Sequence, residues 1–146
     1  MISMSMDIDP RAALAIQQLV FTYAAANDHR DVDAIMECFE PDGSFGLRVA
    51  GSDPVGPFDE GTSPNLRTFF GQTLGAQDDQ RRHVITNLRF SYVGPTRCVV
   101  TAYFTLVVTD AGVSHVLTAG EYTDEVVLRS GRWRFAAKWL ELDGSP

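Results

Sequence analysis

Asp28 and His83 are the residues of this 146-residue chain best able to do chemistry as a pair. Asp28 closes the segment Tyr23-Ala24-Ala25-Ala26-Asn27-Asp28, and His83 stands in Arg81-Arg82-His83-Val84-Ile85-Thr86-Asn87. A carboxylate bonded to one imidazole nitrogen fixes the ring's tautomer and stabilises its charged form. The other nitrogen can then accept or return a proton near neutral pH. Such a pair is a general base able to take a proton from carbon. Both residues also have plainer roles. Asp28 lies in the polar run Asn27-Asp28-His29-Arg30-Asp31, and turn residues of this kind are commonly solvated. His83 is also readable as a satisfied core histidine, or as an exposed strand-start residue beside two arginines. Tyr23 would bond a substrate oxygen or deliver a proton to a leaving hydroxyl. Five residues along a regular helix turn it about 140° away from Asp28. The two converge only if the helix ends or distorts near Ala26; otherwise Tyr23 is a core aromatic whose hydroxyl finds a partner.

A helical first half and a strand-rich second half must position these groups. Asp9 suits an N-cap and Pro10 the first helical position. Ile16, Leu19, Val20, Tyr23 and Asn27 then follow three-four spacing, a core-facing stripe. Asp31 can cap a short second helix carrying Val32, Ile35, Met36 and Phe39, which Pro41-Asp42-Gly43 ends as a turn. Residues 44–49 suit a short strand. Residues 50–62, broken by Gly51, Pro54, Gly56, Pro57 and Gly61, read as a surface loop, a rim or lid. Ser63-Pro64 repeats the cap-plus-proline signal ahead of a third helix with Leu66, Phe69, Phe70 and Leu74, stopped by Gly75.

From His83 the period changes to two. Val84, Leu88, Phe90 and Tyr92 share one face; His83, Ile85, Asn87, Arg89 and Ser91 share the other. Turns at Gly94-Pro95, Asp110-Ala111-Gly112 and Ser130-Gly131 separate three further strand runs, 97–109, 113–129 and 132–142. Strands this long must twist and curl. The expected class is α+β: one domain over residues 1–146, a curled antiparallel sheet with three N-terminal helices on its concave face, enclosing a conical cavity. Strand position makes Asn87, Tyr103, His115, Tyr122 and Trp139 pocket candidates, with His115 placed near a turn and so solvated.

Composition narrows the partners. A net charge of −7 with one adjacent basic pair, Arg81-Arg82, argues against nonspecific binding to nucleic acid or an anionic membrane. No run of about 18 apolar residues is present. The opening Met1-Ile2-Ser3-Met4-Ser5-Met6-Asp7 lacks a basic segment and an apolar stretch, so no signal peptide is expected, and a reducing, cytoplasmic location is the default. Cys38 and Cys98 stand in apolar contexts and read as small core residues. Neither metal-ligand spacing nor a phosphate-binding glycine loop nor a nucleophile motif is present, so no metal or cofactor is implied. β-Branched and aromatic residues on the convex sheet face would be exposed in a monomer, which points to a homodimer, with a trimer as the second choice.

The element order and five motifs resemble the SnoaL-like branch of the NTF2-like superfamily. The motifs are the Tyr23 to Asp28 segment, Phe39-Glu40-Pro41-Asp42-Gly43, Arg82-His83 through Asn87, Gly120-Glu121-Tyr122-Thr123-Asp124, and Gly131-Arg132-Trp133-Arg134-Phe135. The resemblance implies a cone-shaped α+β fold and a cofactor-independent lyase or isomerase acting on a small apolar cyclic or carbonyl-bearing molecule. Scytalone dehydratase, the bile-acid dehydratase and hexachlorocyclohexane dehydrochlorinase in that superfamily use a buried Asp–His pair as base. Asp28 and His83 match it by position, and Tyr23 resembles the tyrosine that the bile-acid dehydratase carries five residues before its aspartate. The further polar pocket residues of those enzymes find no match here, so the resemblance implies proton transfer and not a substrate. The same superfamily includes small subunits of ring-hydroxylating dioxygenases, which serve assembly, so a non-catalytic binding or assembly module is the alternative.

Overall fold

The computed structural model describes residues 7–146; the segment on which the signal-peptide expectation rests lies almost wholly outside the described residues. Helix α1 (Pro10–Asp28) begins as its sequence requires: the Asp9 side chain accepts the Arg11 backbone N–H at 2.8 Å, and Pro10 fills the first helical position. Its apolar stripe buries Ile16, Val20 and Tyr23. The short helix α2 (Val32–Glu37) is capped by Asp31, whose side chain accepts the Ala34 N–H at 3.0 Å. It stops before Phe39, which opens strand β1 (Phe39–Val49) instead of closing the helix. Pro41-Asp42-Gly43 is therefore not a terminating turn. It lies in an irregular stretch between the register pairs Phe39↔Phe135 and Ser44↔Ala137. Gly43 is needed there, because a Cβ would stand 2.8 Å from the Phe135 carbonyl oxygen.

The glycine- and proline-rich stretch contains a short strand, β2 (Val55–Phe58), which hydrogen-bonds to β1; the sequence shows no period over so few residues. Helix α3 (Leu66–Gly75) follows, and Asn65 caps it by accepting the Thr68 N–H at 2.9 Å, two residues after the expected Ser63.

Strands β3 (Gln80–Val93), β4 (Arg97–Asp110), β5 (Val113–Arg129) and β6 (Arg132–Leu142) form the expected meander. Among the described residues the sheet has six strands in the order β2-β1-β6-β5-β4-β3. It is mixed, because β1 runs parallel to β6. Irregularities interrupt the register in every pairing, and bulges of this kind add twist and bend a sheet. The fold is α+β, with a curled, unclosed sheet whose inner face holds the core: Val100, Phe104, Leu106, Tyr122, Val126, Phe135 and Leu140 against Ile16, Val20 and Tyr23 of α1 and Phe70 and Leu74 of α3. No helix among the described residues is long and apolar enough to cross a membrane.

Candidate active site

Asp28 is the last residue of α1, and the chain turns away immediately after it through Arg30, which adopts a left-handed φ of 55°. Backbone bonds from Arg30 to Asn27 and from Asp31 to Ala26 close the helix end. Asn27 beside it is buried and donates its side-chain N–H to the Tyr23 carbonyl at 2.9 Å. The helix end is thus packed, not a solvated connector. Gln80 bonds the Asp28 carbonyl, and the Arg30 side chain bonds that of Asp79, so the start of β3 is tied to the same point.

That junction brings Asp28 to His83. Asp28 Oδ1 lies 2.6 Å from His83 Nδ1 and accepts the His83 backbone N–H at 2.9 Å. Each side chain is only 11% exposed. An ionised carboxylate can only accept, so the short contact assigns the ring proton to Nδ1 and leaves the Nε2 lone pair free. The ring packs on Phe104 at 5.2 Å between centroids, Phe104 packs on Tyr122 at 5.3 Å, and Tyr122 packs on Tyr23 at 6.2 Å. These four rings line a cavity of about 120 Å³, together with Phe69, Phe70 and Leu74 of α3 and Leu140 and Leu142 of β6. An apolar cavity of about 150 Å³ accepts benzene, so this space suits a single six-membered ring. Asn27, Thr73, Gln77, Arg81 and Thr118 supply polar points on its lining. Arg81 is already paired, with its Nε 2.8 Å from Asp79 Oδ1, and that guanidinium holds the Asp79 carboxyl below the usual carboxylate range. A wider cleft of about 390 Å³ beside Gln18, Glu37 and Arg132 lacks the Asp–His pair.

Tyr23 and Tyr122 line the cavity and are almost fully buried, at 2% and 1% exposure. Burial holds both phenols far above their ordinary titration range, so they are neutral O–H donors at physiological pH. The helix does not have to distort for Tyr23 to share the site with Asp28. Tyr23 lines the cavity directly, and Asp28 reaches it through His83, so the phenol and the pair share one cavity without facing the same way.

Three of the expected substrate contacts stand elsewhere. Asn87 is exposed, with φ 52°, at a bulge where the β3–β4 register slips between Thr86 and Arg89. The bulge reverses the alternation, so His83 and Ile85 are followed on the inner side by Leu88 and Phe90. Tyr103 is 48% exposed because the regular alternation of β4 turns Phe104 inward. Trp139 faces outward because Ala136 is an extra residue in the β5–β6 ladder, pairing running from Phe135 to Ala137. That slip sends Lys138, Leu140 and Leu142 inward and lays the indole against Gly46 and Arg48. His115 is exposed, as expected for its place near the turn. Among the described residues no group of three or more His, Cys, Asp or Glu side chains is placed to hold a metal ion.

Lys138 is a functional candidate that the motifs and the strand alternation do not single out. Its ammonium is buried in a box of rings, 3.9 Å from the centroid of Tyr122, 4.3 Å from Phe135 and 4.4 Å from Tyr23, and donates to Asp124 Oδ2 at 2.9 Å. Burial opposes both charges, raising the Asp124 carboxyl and lowering the Lys138 ammonium. The available signal was a lysine on a strand otherwise rich in aromatic and apolar residues.

Several solved structures share this fold. A candidate scytalone dehydratase from Novosphingobium aromaticivorans is 20% identical, with a TM-score of 0.67 over 90% of this chain and 84% of its own. LinA is 20% identical, with a TM-score of 0.70 over 91% and 86%. The beta subunit of a candidate aromatic-ring-hydroxylating dioxygenase, also from Novosphingobium aromaticivorans, is 16% identical, with a TM-score of 0.75 over 93% and 92%. At these identities the likeness is one of fold. No curated protein matches the chain. Residues 11–138 match the family described as the SnoaL-like domain, and with that span covered the chain belongs to the SnoaL-like family.

Proposed function

We propose that this protein is a cofactor-independent lyase or isomerase that moves a proton on a small, largely apolar cyclic molecule. The supporting observation is the buried Asp28–His83 pair at 2.6 Å, set in the wall of an aromatic cavity. His83 Nε2 takes a proton from a carbon beside a carbonyl or beside a leaving group. The C–H electron pair becomes a C=C bond. In an elimination, the bond to the leaving group breaks and the imidazolium returns its proton to a departing hydroxide, releasing water; in an isomerisation it returns the proton to another carbon. Asp28 holds the Nδ1–H tautomer and stabilises the imidazolium. Tyr23 and Tyr122 bond the substrate oxygen as neutral donors.

Proton abstraction can be tested before the natural substrate is known. The protein is incubated in D2O with a panel of monocyclic ketones, and loss of the α-proton signal is followed by NMR. The wild type exchanges the protons of at least one ketone faster than imidazole buffer, and His83→Ala loses that excess while its Tm stays near wild type. A fully active His83→Ala protein overturns the reading.

A second reading, a non-catalytic assembly module, draws on the fold shared with a dioxygenase beta subunit and on the apolar outer face of the sheet, where Tyr92 and Tyr103 are half exposed. It is favoured if no panel member exchanges and a partner protein is retained on that face.

A further inference from the structure

The buried Lys138–Asp124 pair is poorly explained as a stabilising element. Isosteric apolar replacement of such pairs is often neutral or favourable, because desolvation offsets their attraction. Here Asp124 Oδ1 also has no hydrogen-bond partner among the described residues, so the carboxylate is only half satisfied. What distinguishes the pair is its location. Lys138 is 2% exposed and is not part of the cavity lining, whereas Tyr23 and Tyr122, whose rings lie against its ammonium, are. A cation against the face of a phenol ring draws electron density from it and strengthens its O–H as a donor. The effect is enlarged where water is excluded.

We propose that Lys138, held by Asp124, is a positioning residue that charges the phenol end of the cavity from behind, so that Tyr23 and Tyr122 prefer an anionic oxygen on the bound ring, an enolate or a phenolate, over the neutral form. This rests on the reading of the cavity as a proton-transfer site, since it assigns the end opposite the base. His83 and the phenols sit on one aromatic wall with Phe104 between them. A ring spanning that wall loses its proton at one end while negative charge gathers on its oxygen at the other. Lys138 touches neither the substrate nor the reacting carbon.

The test uses the full chain and 4-nitrophenol, whose ionisation is read by its visible absorbance. Bound to wild type, the probe ionises at lower pH than in solution, a preference for phenolate of about 3- to 30-fold, the range a cation–π contact spans. The double variant Lys138→Met/Asp124→Leu keeps its Tm and loses that preference, a result a purely structural pair would not give. A double variant with the wild-type preference overturns the proposal, as does a wild type that binds the probe without a shift or does not bind it at millimolar concentration. Should the double variant not fold, Tyr23→Phe and Tyr122→Phe decide. Loss of the preference in either supports the proposal, and retention in both overturns it. Failure of the lyase reading looks different: no ketone exchanges in D2O while the phenolate preference stands.

Discussion

Asp28 Oδ1 binds His83 twice, at 2.9 Å through the residue's own backbone N–H and at 2.6 Å through ring Nδ1. The backbone bond fixes the carboxylate against β3 independently of the imidazole. The ring bond then sets the tautomer. Asp28→Asn separates position from charge: its amide oxygen, placed where Oδ1 stands, can still accept both N–H groups, but the negative charge that stabilises the imidazolium is gone. Activity should fall by about 10²- to 10⁴-fold, the usual share of a positioned general base, while Tm stays within a few degrees. Both are measured on one preparation, by α-proton exchange and calorimetry. More than a tenth of wild-type activity in Asp28→Asn would mean that the base does not depend on the carboxylate's charge.

Asn87 holds a left-handed conformation, φ 52°, at the bulge that reverses the alternation of β3. Glycine adopts that conformation without steric cost, and a β-branched residue does so poorly. Asn87→Gly is expected to leave Tm and turnover close to wild type. Asn87→Val should cost about 1–3 kcal/mol and lower activity in proportion, because the inward phase of His83 and Ile85 depends on where the slip occurs. Denaturant unfolding of the two variants measures the difference. Equal stability would show that the bulge is set by other contacts.

This bulge also explains where the sequence was silent. The helix stripe through Tyr23, the caps at Asp9 and Asp31 and the turns at Gly94, Gly112 and Gly131 are local signals, and they specify the helix starts and the meander. The approach of Asp28 to His83 is a contact across 55 residues, expected from their placement at a helix end and a strand start and from the family resemblance. Trp139, by contrast, could only be assigned a face by counting in twos from Phe135, and the extra residue at Ala136 makes the count wrong. Tyr103 stands in a strand apolar on both faces, Val99 and Val107 on one side and Val100 and Val108 on the other, so alternation alone does not say which side is buried. The Lys138–Asp124 pair was hidden by the same slip, which turns an apparent surface lysine into the core.

Cys38 and Cys98 are both buried and unpaired with each other, and each bonds a backbone carbonyl, Cys38 to Ala34 at 3.3 Å. Burial pushes the Cys38 thiol up to about 11. A raised pKa means less thiolate, and the thiolate is the reactive form, so at pH 8 about one part in a thousand of Cys38 is reactive. Native protein should react with a disulfide reagent hundreds of times more slowly than after unfolding in guanidinium, where two thiols appear at once. The native rate should climb with pH until about 11. A fast, stoichiometric native reaction at pH 8 would place Cys38 in contact with solvent.

The outer face of the sheet carries Val84, Tyr92, Tyr103 and Val116, between 42% and 61% exposed. Their registers, Val84↔Thr105, Tyr92↔Val99 and Val116↔Val107, put all four on the same side of β4. A contiguous apolar strip of this kind on a chain of net charge −7 is what a second copy of the same face would cover. Sedimentation equilibrium should give twice the 16.1 kDa of the chain, with three times as the other closed arrangement. Introducing like charge into the strip, as Tyr103→Glu with Val116→Asp, should return the mass to that of one chain, because two isologous copies would each bury both carboxylates without partners. The variant should keep its far-UV spectrum and its α-proton exchange, since neither side chain reaches the cavity. A wild type that sediments at 16.1 kDa removes the interface. Loss of exchange on dissociation would instead show that the second copy braces β3 and β4, the two strands that carry His83 and Phe104.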